Sequence, residues 1–372
     1  MTRTDFVSFK TRRVLAALAL LAVAFTGPAF SWVQEASNKE SPLVWVLSTG
    51  GTIASRGASS TSLTEYKSGS ILGEELVSAV PEIKQFAEVK VEQIVNVGSP
   101  DITVDNWITL ANRINGIFSH DPKVAGIVVT HGTSTLEETA YFLNLTVKHD
   151  RPVVLVGAQR PATGISADGP LNLLNAVRTA SSLEARGKGV LIVMNEEINA
   201  ARDVTKTNTY RVETFRSPEL GYLGYVDADK VSFYRTSTKR HSVHSEFDVS
   251  QIKTLPKVDI LYSYVEPNPV MIHALIASGV KGIVFAGTGA GTLSSIEKSA
   301  IKEVLSLPAA SRPVLVRSSR TGNGRVVARE DYDNMGMIPA DTLNPQKARI
   351  LLMLALTKTN NLGEIKRMFA EY

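Results

Sequence analysis

The chain is predicted to fold as an α/β protein, with a larger N-terminal domain built on a mainly parallel sheet flanked by helices and a smaller C-terminal α/β domain. Three observations carry this. Short apolar runs alternate with segments of helical spacing; the runs are continuous rather than polar on every second residue, as in strands buried on both faces; and the alternation starts afresh after one polar stretch.

The N-terminus is set aside first. Arg3, Lys10, Arg12 and Arg13 precede an apolar run from Val14 to Phe25, Gly27-Pro28 ends it, and Ala29-Phe30-Ser31 supplies small residues at cleavage-like spacing. Residues 1–31 therefore read as a secretory signal peptide, and a periplasmic or secreted mature protein is expected. The 12 apolar residues fall short of the roughly 20 that span a bilayer, so no membrane association is expected. Thr11-Arg12-Arg13 is an incomplete twin-arginine pattern and leaves the export route open. The leader accounts for +3 of the formal net charge of +4, so the mature body is nearly neutral and offers no basic stripe for nucleic acid. Cysteine is absent, which excludes disulfides, thiolate nucleophiles and thiolate metal sites.

The first strand is Leu43 to Leu47, followed by runs at Lys90 to Val95, Val124 to Thr130, Val153 to Val156 and Val190 to Met194. Helical spacing covers Val104 to Phe118 and Leu136 to Val147. The N-terminal domain is placed at 32–234. The polar segment Arg235 to Asp248 opens an expected exposed linker over 235–257, with His241 and His244 solvated rather than binding a metal. The C-terminal domain, 258–372, alternates through Ile260 to Val265, Met271 to Ser278, Ile283 to Ala286, Leu293 to Leu305, Val314 to Arg317 and Gln346 to Leu356. Gly287-Thr288-Gly289-Ala290-Gly291 has Thr292 where a dinucleotide fingerprint needs its last glycine, so a tight turn is expected there.

Chemistry is expected where strands end. Thr49-Gly50-Gly51-Thr52-Ile53-Ala54 follows the first strand, so a hydroxyl sits beside glycines that let backbone N–H groups approach a ligand. Val128-Val129-Thr130-His131-Gly132-Thr133 ends a second strand, and Thr133 can face Thr52 across the carboxyl edge of a parallel sheet. Thr135 and Glu138 have capping-box spacing, a purely structural use of polarity, and Ser134 can also cap that helix. Two hydroxyls need a base, and a desolvated Lys206, in Asp203-Val204-Thr205-Lys206-Thr207-Asn208, can serve.

These segments, with Thr135-Leu136-Glu137-Glu138-Thr139-Ala140, Val156-Gly157-Ala158-Gln159-Arg160-Pro161, Ser166-Ala167-Asp168-Gly169-Pro170 and Leu343-Asn344-Pro345-Gln346-Lys347-Ala348-Arg349, resemble the bacterial-type L-asparaginases, specifically the exported type II branch, over essentially the whole mature chain. The resemblance implies Thr52 as the nucleophile of an acyl-enzyme that releases ammonia from L-asparagine, with Tyr66 closing over it. Thr133 and Lys206 would be the second hydroxyl–base pair. Gly51 lies in the substrate turn, Ser99 would hold the substrate carboxylate, and the Ala158 backbone would face the amide. Glu330 would reach a neighbouring subunit's substrate, implying a homotetramer built from intimate dimers. No cofactor and no metal are implied.

Two positions depart from the family pattern. Ser134 stands where the family carries an aspartate that contacts the lysine and the substrate ammonium; an uncompensated loss of such a bond costs about 1.5–3 kcal/mol. Pro100 stands where relatives carry Gln or Glu against the substrate. The choice between asparagine and glutamine therefore stays open. So do a broader asparaginase-glutaminase, a hydrolase of another amide, and a non-catalytic exported amino-acid-binding protein.

Overall fold

Residues 40–372 are described by the computed structural model, so the leader expected at 1–31 lies outside the described residues. The first apolar run becomes β1 (Leu43–Gly50), longer than its apolar core because parallel pairing with strands on both sides carries it past Leu47. A small hairpin, β2 (Arg56–Gly57) and β3 (Tyr66–Lys67), precedes α1 (Gly73–Ser78) and β4 (Glu88–Val97). Then follow α2 (Val104–His120), β5 (Val124–Thr130), α3 (Leu136–Thr146), β6 (Val153–Val156), α4 (Gly169–Ser181), β7 (Val190–Met194) and β8 (Glu197–Ala200). A two-stranded ribbon, β9 (Thr205–Lys206) and β10 (Phe215–Arg216), and the strands β11 (Gly224–Val226) and β12 (Val231–Phe233) complete this half.

Eight strands join in the order β12-β11-β8-β7-β6-β5-β1-β4, parallel from β7 to β4 and antiparallel at β8, β11 and β12. The sheet is mainly parallel, as expected. Successive side chains leave opposite faces. Leu43, Leu47, Ile127, Val129 and Leu155 thus join the core with α2 and α3, while Val44, Val46, Val128, Val154 and Leu191 join the core with α4. Both faces are covered, which is why the strands read as unbroken apolar runs.

The C-terminal half runs β13 (Val258–Tyr262), α5 (Val270–Ala277), β14 (Gly282–Gly287), α6 (Ser295–Leu305), β15 (Val314–Ser319), α7 (Glu330–Asp333), β16 (Ile338–Pro339), α8 (Pro345–Ala355) and α9 (Leu362–Glu371). Its four strands are parallel in the order β13-β14-β15-β16. Helix α6 starts at Ser295 rather than Leu293 because Ser294 and Glu297 form a reciprocal capping box. Helix α8 packs on α3 as well as on β13 and β14, so one helix joins the C-terminal sheet to a helix of the N-terminal half. The glycine stretch after β14 is a tight turn, closed by paired N–H···O bonds between Thr288 and Thr292.

The polar stretch beginning at Arg235 is not a solvated linker along its length. His241, Ser242, Ser245, Phe247 and Val249 are buried, and only His244 of the two histidines is exposed. The polarity is satisfied internally: Lys148 donates to the Ser245 carbonyl, Ser245 Oγ donates to the Leu145 carbonyl, and the Glu246 N–H donates to the Tyr372 hydroxyl. Hydrogen bonds to α3 and to the C-terminus do what water was expected to do, and burial pushes His241 below its ordinary pKa. Among the described residues no three acidic, histidine or cysteine side chains cluster to hold a metal, and no helix is long and apolar enough to cross a membrane.

Candidate active site

The site forms at the carboxyl ends of β1 and β5, neighbours in the sheet. Gly50 and Gly51 both take positive φ, 99° and 82°, and a Cβ on Gly51 would lie 2.2 Å from Gly132 Cα. Two turns from distant parts of the sequence therefore touch backbone to backbone, which only glycine permits. A Cβ on Gly132 would in turn lie 2.8 Å from Ser99 Oγ, at the end of β4. Three strand ends are drawn to one point.

Thr52 is nearly buried in the short helical turn after Gly51, and its hydroxyl lies 2.8 Å from the Tyr66 hydroxyl. Tyr66 pairs with Gly57 in the β2–β3 hairpin, which folds back over the turn. That hairpin is pinned from the opposite side: the Ala162 N–H donates to the Ser55 carbonyl, Ile165 N–H to the Ser60 carbonyl, and Gly57 N–H to Thr163 Oγ1.

Thr133, buried in the turn after β5, accepts a 2.8 Å hydrogen bond from Lys206 Nζ. Burial pushes the Lys206 pKa down, and the Glu137 carboxylate opposes that shift. The preceding peptide is fixed from behind. The Trp107 indole N–H donates to Thr139 Oγ1 at 2.8 Å, so the Thr139 hydroxyl proton is left for His131 Nε2 at 2.9 Å, and His131 Nδ1–H donates to the Gly132 carbonyl at 2.7 Å. Complete burial lowers the His131 pKa to about 4, so the ring is neutral and this tautomer is the one the network requires. With the Gly132 carbonyl turned toward the histidine, the Thr133 N–H of the same planar peptide points away from it.

Ser99 is buried; its hydroxyl accepts from the Ser134 N–H at 3.0 Å, and its carbonyl accepts from Thr135 Oγ1 at 2.7 Å. The Thr135–Glu138 capping box is therefore not formed: Thr135 occupies the N-cap position of α3, but its hydroxyl is committed to Ser99. Ser134 does not cap the helix either, and its side chain is exposed. Pro100 is exposed in the short turn Ser99–Asp101. Ala158 is fully buried after β6, in a loop held by Asp168, whose two carboxylate oxygens accept from the N–H groups of Gln159 and Arg160 at 2.9 Å each. Glu330 is exposed in the first turn of α7 and has no hydrogen bond to this cluster within the chain.

The structure thus brings Thr52 to Tyr66, Thr133 to Lys206, and Gly51 to Ser99 by way of Gly132. Sequence reasoning missed the supporting residues: the His131–Thr139–Trp107 relay, Asp168 and Glu137. A signal was present for Asp168 and Glu137, since both lie inside motifs already singled out. Trp107 carried none, because on α2 it reads as one apolar residue in a helical stripe.

A mainly parallel α/β sheet that gathers two threonine hydroxyls and a lysine at its carboxyl edge is the arrangement of an α/β enzyme. The asparaginase N-terminal family model matches residues 43–239, and the glutaminase/asparaginase C-terminal domain model matches 257–369. The chain belongs to the asparaginase family. It is 48% identical to L-asparaginase 2 of Bacillus subtilis, covering 98% of this chain and 100% of that protein, and 45% identical to L-asparaginase 2 of Escherichia coli, covering 96% and 98%. It is 44% identical to a glutaminase-asparaginase of Pseudomonas fluorescens over 95% of this chain and 97% of that one. Among solved structures, a probable cytoplasmic L-asparaginase from Campylobacter jejuni superimposes with a TM-score of 0.86 at 46% identity, covering 90% of this chain and all of that chain.

Proposed function

We propose that the protein hydrolyses L-asparagine to L-aspartate and ammonia through a threonine acyl-enzyme. The observation that carries the reading is that each of two threonine hydroxyls at adjacent strand ends is bonded to a side chain able to manage its proton, Tyr66 for Thr52 and Lys206 for Thr133. Thr52 Oγ1 attacks the side-chain amide carbon, the C–N bond breaks, and ammonia leaves carrying the proton taken from the hydroxyl. Water then attacks the resulting ester and restores the threonine. Backbone N–H groups at Thr52 and Thr133 face the developing oxyanion, a contribution of about 3–4 kcal/mol per donor. Gly51 shapes the substrate turn, Ser99 receives the substrate carboxylate, and the Ala158 backbone faces the amide. Ser134 and Pro100, both neutral, line the side where relatives place charged or amide groups. Relatives named glutaminase-asparaginase at 44% identity support glutamine as a second substrate.

Ammonia release from asparagine and glutamine tests this, with mass spectrometry of the trapped intermediate. Thr52→Ala should abolish release and the trapped acyl group should map to Thr52; turnover equal to the parent protein, or acylation only at Thr133, overturns the assignment.

The exposed apolar row Ile260, Tyr262, Tyr264 and Val265, on and just after the edge strand β13, supports a homotetramer in which Glu330 reaches a neighbour's site. The leader at 1–31, together with a relative named as a periplasmic L-asparaginase, supports export. The molar mass in solution and the N-terminal residue of the protein recovered from the periplasm test these two points.

A further inference from the structure

Ser134 offers Lys206 no carboxylate, yet one carboxylate does lie against the lysine. Glu137, in the first turn of α3, is 6% exposed, so its charge is held by protein rather than by water. The Lys206 backbone N–H donates to Glu137 Oε2 at 3.2 Å, and Gln346 Nε2, from α8 of the C-terminal half, donates to Glu137 Oε1 at 2.6 Å. The surrounding charges come from three elements. Glu138 shares α3, Lys347 and Arg349 face the pair from α8, and Arg202 and Asp203 lie on the chain entering β9. Lys347 is itself fully buried and donates to the Arg202 and Val204 carbonyls, so it fixes the backbone just ahead of Lys206.

We propose that Glu137 is the positioning residue of Lys206: it clamps the lysine's backbone, is held in place by Gln346 across the two halves of the chain, and supplies the negative charge that Ser134 lacks. The inference rests on reading Lys206 as the base that acts through Thr133. A carboxylate facing Lys206 favours its ammonium form and keeps it charged to higher pH. Burial alone would lower the lysine's proton affinity further than Glu137 lets it fall. The pair therefore balances a base strong enough to take a hydroxyl proton against one neutral often enough to act.

Glu137→Gln isolates the charge. The new amide oxygen can accept from the Lys206 N–H and its nitrogen can donate to a flipped Gln346, so the clamp survives while the charge is lost. The acid limb of the kcat/KM profile for asparagine should move to lower pH by about one unit, because neutral Lys206 is then reached sooner, and the high-pH plateau should fall severalfold as the base weakens. A purely structural residue would lower the profile equally at every pH. A profile that superimposes on the parent, or falls without shifting, overturns the proposal. Gln346→Leu keeps the charge and removes its tether; it should lower kcat severalfold while leaving the acid limb in place. If Glu137→Gln does not fold, Gln346→Leu decides alone, and an unchanged kcat sinks the idea. Lys206→Met, run alongside, separates the two readings: full turnover in that variant removes the lysine as base, whereas an inactive Lys206→Met with an unshifted Glu137→Gln removes only Glu137.

Discussion

The glycine turn after β1 and the glycine turn after β14 follow the same local plan, a buried parallel strand running into glycines and threonine hydroxyls, yet they use those hydroxyls in opposite ways. In the first, Thr52 meets Tyr66 and the neighbouring Thr133 meets Lys206, both side chains from elsewhere in the chain. In the second, Thr288 Oγ1 donates to the Thr292 carbonyl within the turn and Ser319 Oγ, at the end of β15, donates to the Gly289 carbonyl, so both hydroxyls are spent on the turn's backbone. A hydroxyl bonded to a carbonyl has given up its proton to structure. One bonded to a lysine or a tyrosine is coupled to a group that can take or return it.

Substitutions in matched pairs can break this contrast. Thr133→Val removes the hydroxyl that Lys206 addresses and should lower kcat by about 10²–10⁴ with little change in thermal stability. Ser319→Ala should leave kcat untouched and cost about 0.5–1.5 kcal/mol in denaturant unfolding, because Gly289 is exposed and water can replace the lost partner of its carbonyl. Similar kinetic losses in the two variants would show the turns to be equivalent after all.

The glycines sharpen the same point. At Gly51 a methyl would strike the Gly132 backbone, and φ is 82°, so Gly51→Ala should separate the two turns, cost several kcal/mol and abolish ammonia release. At Gly289 φ is 48° with open space around the new methyl, and Gly289→Ala should cost only about 1 kcal/mol. Melting temperatures of the two purified variants check the order; a reversed order would place the critical backbone contact elsewhere.

The first turn, through the β5 turn it touches, also depends on pH. His131 is held neutral, with a folded pKa of about 4 against 6.5 for the free side chain, so the unfolded chain binds its proton first as pH falls. The stability it supports is complete above pH 6.5 and should be lost between there and about pH 4, by up to ~3 kcal/mol. Unfolding free energies at pH 7.5 and 4.5 measure this, and His131→Gln should flatten the slope; an unchanged slope would assign the acid sensitivity to other groups.

The legible part of the fold is the part whose environment is uniform. β5, β6 and β7 are buried on both faces, so their boundaries coincide with the apolar runs. The short strands β11 and β12 were not legible, since an antiparallel edge of three residues carries no period. Burial within the polar stretch Arg235 to Asp248 was not legible for a related reason: hydrogen bonding to α3 and the C-terminus makes polar side chains compatible with burial, and composition does not reveal partners. In the site, the hydroxyls and Lys206 were legible as motifs. Trp107 and Thr139 were not, because their role lies in a chain of donors and acceptors that exists only once α2, α3 and the β5 turn are packed together.

By itself the sequence determined the alternation of strands and helices, the placing of Thr52 and Thr133 at strand ends, and the absence of a carboxylate at Ser134, since each is a property of a few consecutive residues. The tertiary structure alone decided that Gly51 and Gly132 touch, that Lys206 reaches Thr133, and that Glu137 with Gln346 stands behind that lysine. Those contacts join residues 69 to 209 positions apart, and only the burial of a shared core brings such residues within hydrogen-bond reach.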